Sequence, residues 1–532
     1  MRFQRSLTLL GVGLLWLALG PWVLPAALAT LLVPRVRAWM RPTWRAVAAV
    51  AAAVLALAGL VWLVPDGWLP IPPGPGALVT PGYVGRPAAV RPIRMEVPQQ
   101  PHLAANGTGS VHDDAWATDT YPWSGPLGES PGVDTSWFGL EECAGLAVDS
   151  HDRLVGLCGD LHGRSLHVID PDSMNPVATK ELPGSGDTGT GSSEDLCAGG
   201  YFFLDDRDRA VVATTDRRVL VVATSDADGD PDLTTEASYD LTSQVPDHDC
   251  LVALMPDRDG RIWWTTQQGR VGTIDQSSGR VRVLDLGEEI ANSFAVDGND
   301  AYVVTTHALY RLDVGPSGRP AVTWRTAYDR GSEQKSGQLS RGSGTTPTLL
   351  PGGLVAITDN ADPRMDVVFY RTDSGDEVCR SAVFGDDESA TESSLVSVGT
   401  GVIVENNHGY GGPLSTAFGM TADGGLARVD VADGDCSVRW TSDEVAPSSV
   451  PKLSRANGLL YTYTKPHSWW GANAWYLTAI DARTGRSVFK VRTGLGALMN
   501  NHHSAVTLTR DGSAYVGTVG GLVRVRDRST QG

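Results

Sequence analysis

Four consecutive residues, "NNHH" at Asn500, Asn501, His502 and His503, stand directly before an alternating strand and a D-G turn. Amide oxygens and neutral imidazoles are groups that can hold a divalent ion or a polar ligand. Three more clusters of the same kind lie upstream. They are Asn360 and Arg364 in "TDNADPRMD", Glu405, Asn407, His408 and Tyr410 in "ENNHGYGGPLSTAFGMTADGG", and His467, Trp469 and Trp470 in "TKPHSWWGANAW". Carboxylate and imidazole suit divalent ions, calcium among them through the carboxylate and amide oxygens, and paired tryptophans suit stacking on a ring or a sugar. Each cluster also has an ordinary reading, in which histidines order loops, asparagines tie down turns and tryptophans cover a loop. No local spacing sets a metal geometry. The G-x-S-x-G, H-E-x-x-H, P-loop and C-x-x-C patterns are all absent, so no catalytic residue is assigned.

Clusters so far apart act together only if a scaffold gathers them, and the sequence supplies one. From about Ser136 onward a unit recurs: an apolar strand, a D-G-like turn, a second strand, a turn, then a third strand ending in Asp, a glycine-bearing turn and a fourth strand. "CLVALMPDRDGRIWWTTQQGRVGTIDQSSGRVRVLDLG" and "SAVTLTRDGSAYVGTVGGLVRVRD" are the clearest of eight copies. A repeat of this length with four short strands predicts an all-β fold, a single β-propeller of eight four-stranded blades, with seven as the alternative. The last copy stops at Asp527 after three strands, while "TSWFGL" precedes the first copy unassigned. That early piece is therefore expected to complete the last blade and close the ring, which removes open sheet edges.

Propeller geometry then gives the clusters an address. The innermost strand of each blade lines the channel. Loops entering that strand, and loops joining the second strand to the third, open on the same face. Residues just before the inner strands include Glu142, Asp195, Asp247, Asp249 and Glu392, a run of acids expected at the channel mouth, where they would focus negative potential or simply be hydrated. The three extended loops, residues 358–366, 405–425 and 464–475, belong to successive copies and sit beside the copy that carries "NNHH". Long loops on one rigid face are the usual material of a binding site. Adjacent histidines at a strand start should point to opposite faces, so at most one of His502 and His503 is expected to face the channel.

The remainder of the chain sets the compartment. Across 532 residues the formal charge is −18, which argues against a nucleic-acid partner, since phosphate recognition needs a basic face. Residues 6–34 and 46–65 are uncharged and each long enough for the ~30 Å of a bilayer core, so residues 1–65 read as a membrane anchor of two transmembrane helices. Gly20, Pro21 and Pro25 allow the first span to kink or stay re-entrant. Arg35, Arg37, Arg41 and Arg45 lie between the spans and hold that loop in the cytoplasm, which puts the chain after Pro65 outside the cell. Residues 66–132, rich in proline and glycine, read as an extracellular spacer, and residues 133–532 as the propeller. Six cysteines in an oxidising compartment favour disulfides. Cys143 and Cys158 are symmetric about the turn "DSHD" and should pair across a hairpin; Cys197 with Cys250 is the next pairing, and Cys379 with Cys436 follows by elimination.

"LTAIDARTGRSVFKV" and "VGTIDQSSGRVRVL" resemble the repeat of the pyrroloquinoline-quinone-like (quinoprotein dehydrogenase-like) propellers, whose pattern runs A-x-D-x-x-T-G-x-x-x-W. Phe489 stands where that family has tryptophan, and Cys379 takes the same place in "RTDSGDEVCR". The resemblance implies the fold. It also raises a quinone-dependent oxidoreductase as an alternative, in which calcium is held by Glu, Asn and Asp, although the adjacent cysteine pair of such alcohol dehydrogenases has no counterpart here. A second alternative is a metal-assisted hydrolase or transferase, because "DHDCLVALMPDRDG" resembles a stretch of arylsulfotransferase propellers. The leading expectation is a membrane-anchored extracellular propeller that binds a small molecule or a protein on the loop-rich face without chemistry of its own.

Overall fold

The computed structural model describes residues 2–41, 43–160, 163–184, 201–225, 231–315 and 317–528. Eight sheets follow one another along the chain, seven of four antiparallel strands and one of six with a single parallel pair. They are the eight blades. Blade 1 begins with Glu142–Val148, and blades 2 to 8 begin with Phe203–Leu204, Leu251–Pro256, Ala295–Asp297, Thr348–Leu350, Val396–Val398, Lys452–Ser454 and Val506–Leu508. Each of these inner strands pairs with the strand after it, and the sheet continues outward in sequence order. Blade 8 obtains its outer strand from Pro131–Trp137, which pairs in continuous antiparallel register with Gly521–Asp527. The ring is closed as the sequence predicts, from a strand that begins four residues before "TSWFGL".

Local chemistry explains why the units fold alike. At the end of the inner strands of blades 1, 2 and 3 an aspartate (Asp149, Asp205, Asp257) accepts from backbone N–H groups two and four residues on and from the arginine at the latter place (Arg153, Arg209, Arg261). The side chain thus closes the first turn of the blade. Neighbouring blades are then locked at their outer strands. Trp324 of blade 4 lies over Gly375 of blade 5 and donates Nε1–H to the Thr372 carbonyl at 3.0 Å; Trp440 of blade 6 lies over Gly485 of blade 7 and donates to the Ala482 carbonyl at 3.1 Å. Both glycines have φ above +70°, and a β-carbon there would lie within 2.7 Å of the indole, so the turn conformation and the ring's approach both require glycine. Between blades 5 and 6 the tryptophan's place is taken by Cys379, which forms a disulfide with Cys436 of blade 6. Covalent linkage stands there for indole packing. Cys143 and Cys158 are paired across the first hairpin of blade 1, as predicted. Cys197 lies outside the described residues, so its pairing is not described. Replacing Cys379 and Cys436 by serine is expected to lower stability by about 2–4 kcal/mol, read as a shift in the urea midpoint, because the bridge closes 57 residues of chain.

The proline- and glycine-rich segment read as a spacer is seated on the propeller for most of its length. Tyr83–Gly85 adds a strand to the outer edge of blade 7, pairing with Phe489 to Val491, and Thr120–Tyr121 pairs with Leu453–Ser454 at the inner edge of the same blade. Between them the chain circles the end of the channel. Backbone carbonyls of Thr108, Gly109, Ala115, Trp116, Thr118 and Asp119 accept from Val148, Leu204, Val296, Leu349, Ser397 and Leu453 at 2.7–3.1 Å. Gln100 donates to Pro256 and Trp123 to Leu508, so all eight blades are touched. The contacts fall at the last residue of the inner strands of blades 1, 2, 3 and 8 and at the middle residue of the three-residue inner strands of blades 4 to 7. Residues 104–123 are therefore a plug on the face opposite the long loops. Composition suggests a free spacer because the partners of these backbone groups lie up to several hundred residues away.

At the plug's centre Lys452 is fully buried, with Nζ donating to Asp119 Oδ1 and to the Val111 carbonyl and 3.4 Å from Asp113. His112 adds a contact to Asp119 at 3.2 Å. Burial alone would raise the Asp119 carboxyl, but Lys452 and His112 hold it below its ordinary value, whereas burial pushes Asp113 well above.

The N-terminal apolar runs form α1 (Arg2–Leu19), α2 (Val23–Thr30), α3 (Pro34–Met40) and α4 (Trp44–Trp62). Within the fourth, Trp44–Val61 is long and apolar enough to cross a membrane, and Thr43 caps its start by accepting from Ala46 N–H at 3.2 Å. The first run is broken at Gly20–Trp22, as Gly20 and Pro21 foretell, and α2 and α3 meet at a bend of 100°.

Candidate functional site

On the face opposite the plug, the entries to the inner strands of blades 6, 7, 8 and 1 carry a continuous arc of buried polar side chains. Asn407 is its hub. Its Oδ1 accepts from the Glu392 N–H at 2.8 Å and from Ser393 Oγ at 3.2 Å, while its Nδ2 donates to Glu405 Oε1 at 3.0 Å and to the Pro447 carbonyl at 3.3 Å. Glu405 Oε2 accepts from Thr462 of blade 7 at 3.0 Å. In blade 8 Asn501 donates to the Ser504 carbonyl at 3.0 Å and to the Ser448 carbonyl at 3.4 Å, and Ser504 Oγ donates to Glu142 of blade 1 at 3.1 Å. Two kinds of strand end position these groups: the entries to the inner strands carry Glu392, Ser448, Asn501 and Glu142, and the ends of the second strands of blades 6 and 7 carry Glu405, Asn407 and Thr462.

"NNHH" does not start the strand, which begins at Val506. His502 and His503 lie in a tight turn with φ of 34° and 69°, left-handed conformations that cost a non-glycine residue about 1–3 kcal/mol each. The expectation that the two rings point to opposite faces fails for this reason. Both instead lie against Tyr410, with ring centroids 6.2 Å and 5.4 Å away. Tyr410 donates to Asn500 Oδ1 at 3.1 Å, and Asn500 Nδ2 reaches Thr416 at 3.2 Å, so the blade 6 loop is fastened onto the "NNHH" turn.

Burial sets the charge of this arc. It raises Glu142 and Glu392 to about 8, pushes Glu405 well above the carboxylate range, and lowers His502 to about 4 and His503 to about 3. Near neutral pH the arc is uncharged: carboxyl groups that can donate a hydrogen bond face imidazoles that can accept one, and His502 Nδ1 lies 3.7 Å from Glu142. An entering cation would ionise the carboxyls and release protons. Because the two histidines titrate in the folded chain below their ordinary value of 6.5, they bind more protons in the unfolded chain between about pH 4 and 6.5, and their contribution to stability falls as pH drops through that window, against the opposite contribution of the raised carboxyls Glu142, Glu392 and Glu405. Relative to the wild type, the variant His502→Gln/His503→Gln is expected to gain stability as pH falls from 6.5 to 4, measured by urea titration of both proteins at each pH.

Some polar atoms of the arc find no partner among the described residues: Glu392 Oε1, Ser448 Oγ, Asn501 Oδ1 and His503 Nδ1 are buried and unbonded. Buried polar atoms are nearly always satisfied, so unpaired ones at a channel mouth mark places for water or a ligand.

The other expected residues are placed as follows. Asn360 is buried and donates to the carbonyls of Arg330 and Glu333, 2.8 and 2.9 Å away, while Arg364 pairs with Asp386 at 2.7 Å on the surface. His408 pairs with Asp423 at 2.6 Å. His467 stands exposed, edge-on to Trp469, which with Trp470 projects into solvent. Asp247 is exposed and paired with Arg217, and Asp249 is buried with its carboxylate taken up by Thr266 and by Arg270 at 2.8 Å. Asp195 lies outside the described residues. The structure therefore brings together Glu142, Glu392, Glu405, Asn407, Tyr410, Asn500, His502 and His503, and leaves Arg364, His408, His467 and Asp247 outside the arc. Among the described residues, no group of three or more His, Cys, Asp or Glu converges as metal ligands would.

Sequence reasoning passes over Thr462 and the loop 328–347. That loop joins outer to inner strand between blades 4 and 5, and its Lys335 donates to the Ala361 carbonyl at 2.5 Å. It is longer than the insertions 358–366 and 464–475 and nearly as long as 405–425. A search confined to loops between second and third strands misses it, although length alone would have found it.

No family model matches this sequence. An uncharacterized protein of Archaeoglobus fulgidus is 27% identical over 319 residues, covering 52% of this chain and 60% of that protein. The chain thus spans less than two thirds of that relative. Among solved structures, the quinohemoprotein alcohol dehydrogenase from Comamonas testosteroni superposes with a TM-score of 0.52 at 11% identity, over 79% of this chain and 81% of that one. BamB from Moraxella catarrhalis matches with a TM-score of 0.36 at 15% identity, over 60% and 93%. At 11% identity the likeness to the dehydrogenase is one of fold.

Proposed function

We propose that this protein is a membrane-anchored, extracytoplasmic β-propeller that binds a small polar ligand able to donate and accept hydrogen bonds, such as an amine or a polyol, on the face formed by the long loops. The observation that carries the reading is the set of unpaired buried atoms at the inner-strand entries, Glu392 Oε1, Ser448 Oγ and Asn501 Oδ1. Between them they can both accept and donate: Asn501 Oδ1 accepts, the neutral Glu392 carboxyl donates and the Ser448 hydroxyl does either; with the plug filling the far end of the channel, the ligand enters from this side. Membrane attachment draws support from Trp44–Val61 and from disulfides that suit an oxidising compartment.

A thermal-shift series on the full-length protein with amines, polyols and sugars tests the reading. At least one of these is expected to raise Tm, and Asn501→Ala with Ser448→Ala is expected to abolish that rise without altering the ligand-free Tm by more than a few degrees. A series that leaves Tm unmoved throughout, or a rise that survives both substitutions, contradicts it. The quinone-dependent alternative rests on the repeat resemblance and the shared fold, and fold alone does not carry an activity. An absorption spectrum and metal analysis of the purified protein separate it from the metal-assisted alternative: bound quinone would favour the first, and stoichiometric metal without quinone the second.

A further inference from the structure

Among the described residues from 133 onward, five of the nine exposed large apolar side chains sit on two adjoining loops: Leu414, Phe418 and Met420 of blade 6, and Trp469 and Trp470 of blade 7. Trp469 is 89% and Leu414 82% exposed. Such side chains gathered at a loop tip are the material of an interaction surface. The two loops are fixed to each other: Ser468 N–H donates to the Gly419 carbonyl at 2.9 Å, Gly419 N–H to Asn473 Oδ1 at 2.7 Å, and Lys465 Nζ to the Met420 carbonyl. The patch is therefore held in place.

Its neighbour points to the occupant. The break between α1 and α2 abuts the same loop, so closely that a β-carbon on Gly471 would meet Pro21 at 2.8 Å and the Trp22 indole at 3.1 Å. The last carbonyls of α1, those of Leu17 and Ala18, accept from Gly76, Ala77 and Leu78 at 2.8–3.1 Å, and the Ala77 and Thr80 carbonyls are in turn held by Arg492 of blade 7. Arg5, at the other end of α1, lies 5.9 Å over the Trp39 ring of α3, close in sequence to Arg35, Arg37 and Arg41. Arginines thus gather at one end of the helical bundle and the aromatic loops at the other.

We infer that the tips of these two loops lie in the lipid interface of the outer leaflet, with Trp469, Trp470, Phe418, Leu414 and Met420 among the headgroups and upper acyl chains. This inference rests on the membrane anchor proposed above. Tryptophans at the interface and arginines on the cytoplasmic side are the ordinary arrangement for a membrane protein. A chain of formal charge −18 has little electrostatic attraction to an acidic lipid surface, so the contact is with neutral lipid and is apolar. The long-loop face is then turned toward the bilayer, and the binding arc opens beside it.

The test uses the full-length protein in phosphatidylcholine vesicles, some carrying a quencher on the upper acyl chain. Among the described residues no cysteine is free, so Phe418→Cys introduces a thiol for an environment-sensitive fluorophore, and Val177→Cys on the outer strand of blade 1 is the control. Lipid-borne quencher is expected to reduce emission at 418 at least ~2-fold more than at 177, and Trp469→Ser/Trp470→Ser is expected to remove that difference while the protein still floats with the vesicles. Equal quenching at 418 and 177 in floating protein overturns the inference and leaves the anchor standing. Protein that fails to float overturns both.

Discussion

Replacing Pro131–Trp137 by a Gly-Ser segment of equal length should abolish the cooperative unfolding transition of the whole ring. These seven residues pair along their full length with Gly521–Asp527 and supply Val133 and Trp137 to the core between blades 7 and 8. Asp134 holds the nearly buried Arg524 at 2.8 Å, and Asp527 fastens the approach by accepting from the N–H groups of Leu127 and Gly128. Without the strand, blade 8 keeps three strands and an open edge, and the ring has no covalent continuity between its first and last blades. The loss is expected to exceed ~5 kcal/mol, a large share of the ~5–15 kcal/mol that holds an ordinary domain folded. Urea titration followed by tryptophan fluorescence reads it out, with size-exclusion chromatography to detect pairing through the bare edge. A monomeric variant with the wild-type midpoint would refute this account of closure.

Lys452→Met should cost about 3–5 kcal/mol, because it leaves Asp119 and Asp113 buried beside each other without their cation. Methionine keeps most of the volume, so the loss reports charge and not a cavity. Asp119→Asn in the Lys452→Met background should recover part of it, giving a coupling of opposite sign to the two single losses in a double-mutant cycle. Limited proteolysis is the second readout: cleavage between residues 104 and 123 should appear in Lys452→Met under conditions where the wild type is intact. A change of less than ~1 kcal/mol, with no new cleavage, would mean that the backbone hydrogen bonds seat the plug without the buried lysine.

These cases also show where the sequence was legible. The blades announce themselves because alternation and turn chemistry are local: Asp149, Asp205 and Asp257 each close a turn with residues two and four places away. The partner of Cys143 is legible for the same reason, since Cys158 faces it across a single hairpin. The plug is not local. "NGTGSVHDDAWATDTY" carries no alternation, and nothing within it says that its carbonyls will be met by inner strands far along the chain. The candidate site falls between these two. Propeller geometry placed "NNHH" beside the long loops, and Tyr410 does reach Asn500. Which acids would stand unpaired depended on neighbours in other strands, as Asp249 shows by giving its carboxylate to Thr266 and Arg270 while Glu392 keeps one oxygen unbonded.

The circling plug bears on the order of assembly. Residues 104–123 are made before any blade, yet their partners include Leu453 and Leu508, which are made almost last. Long-range contacts of this kind are slow to form, since loop closure has to come before any stabilisation from the contact. The segment must therefore wait, extended, while some 370 residues emerge, and only the arrival of blade 8 lets both the plug and the outer strand Pro131–Trp137 find their places in a single late event. Its make-up fits such a wait: between Asn106 and Tyr121 lie only Val111, Ala115, Trp116 and Ala117 as apolar residues before the closing tyrosine, too few to draw the unfinished chain into aggregation.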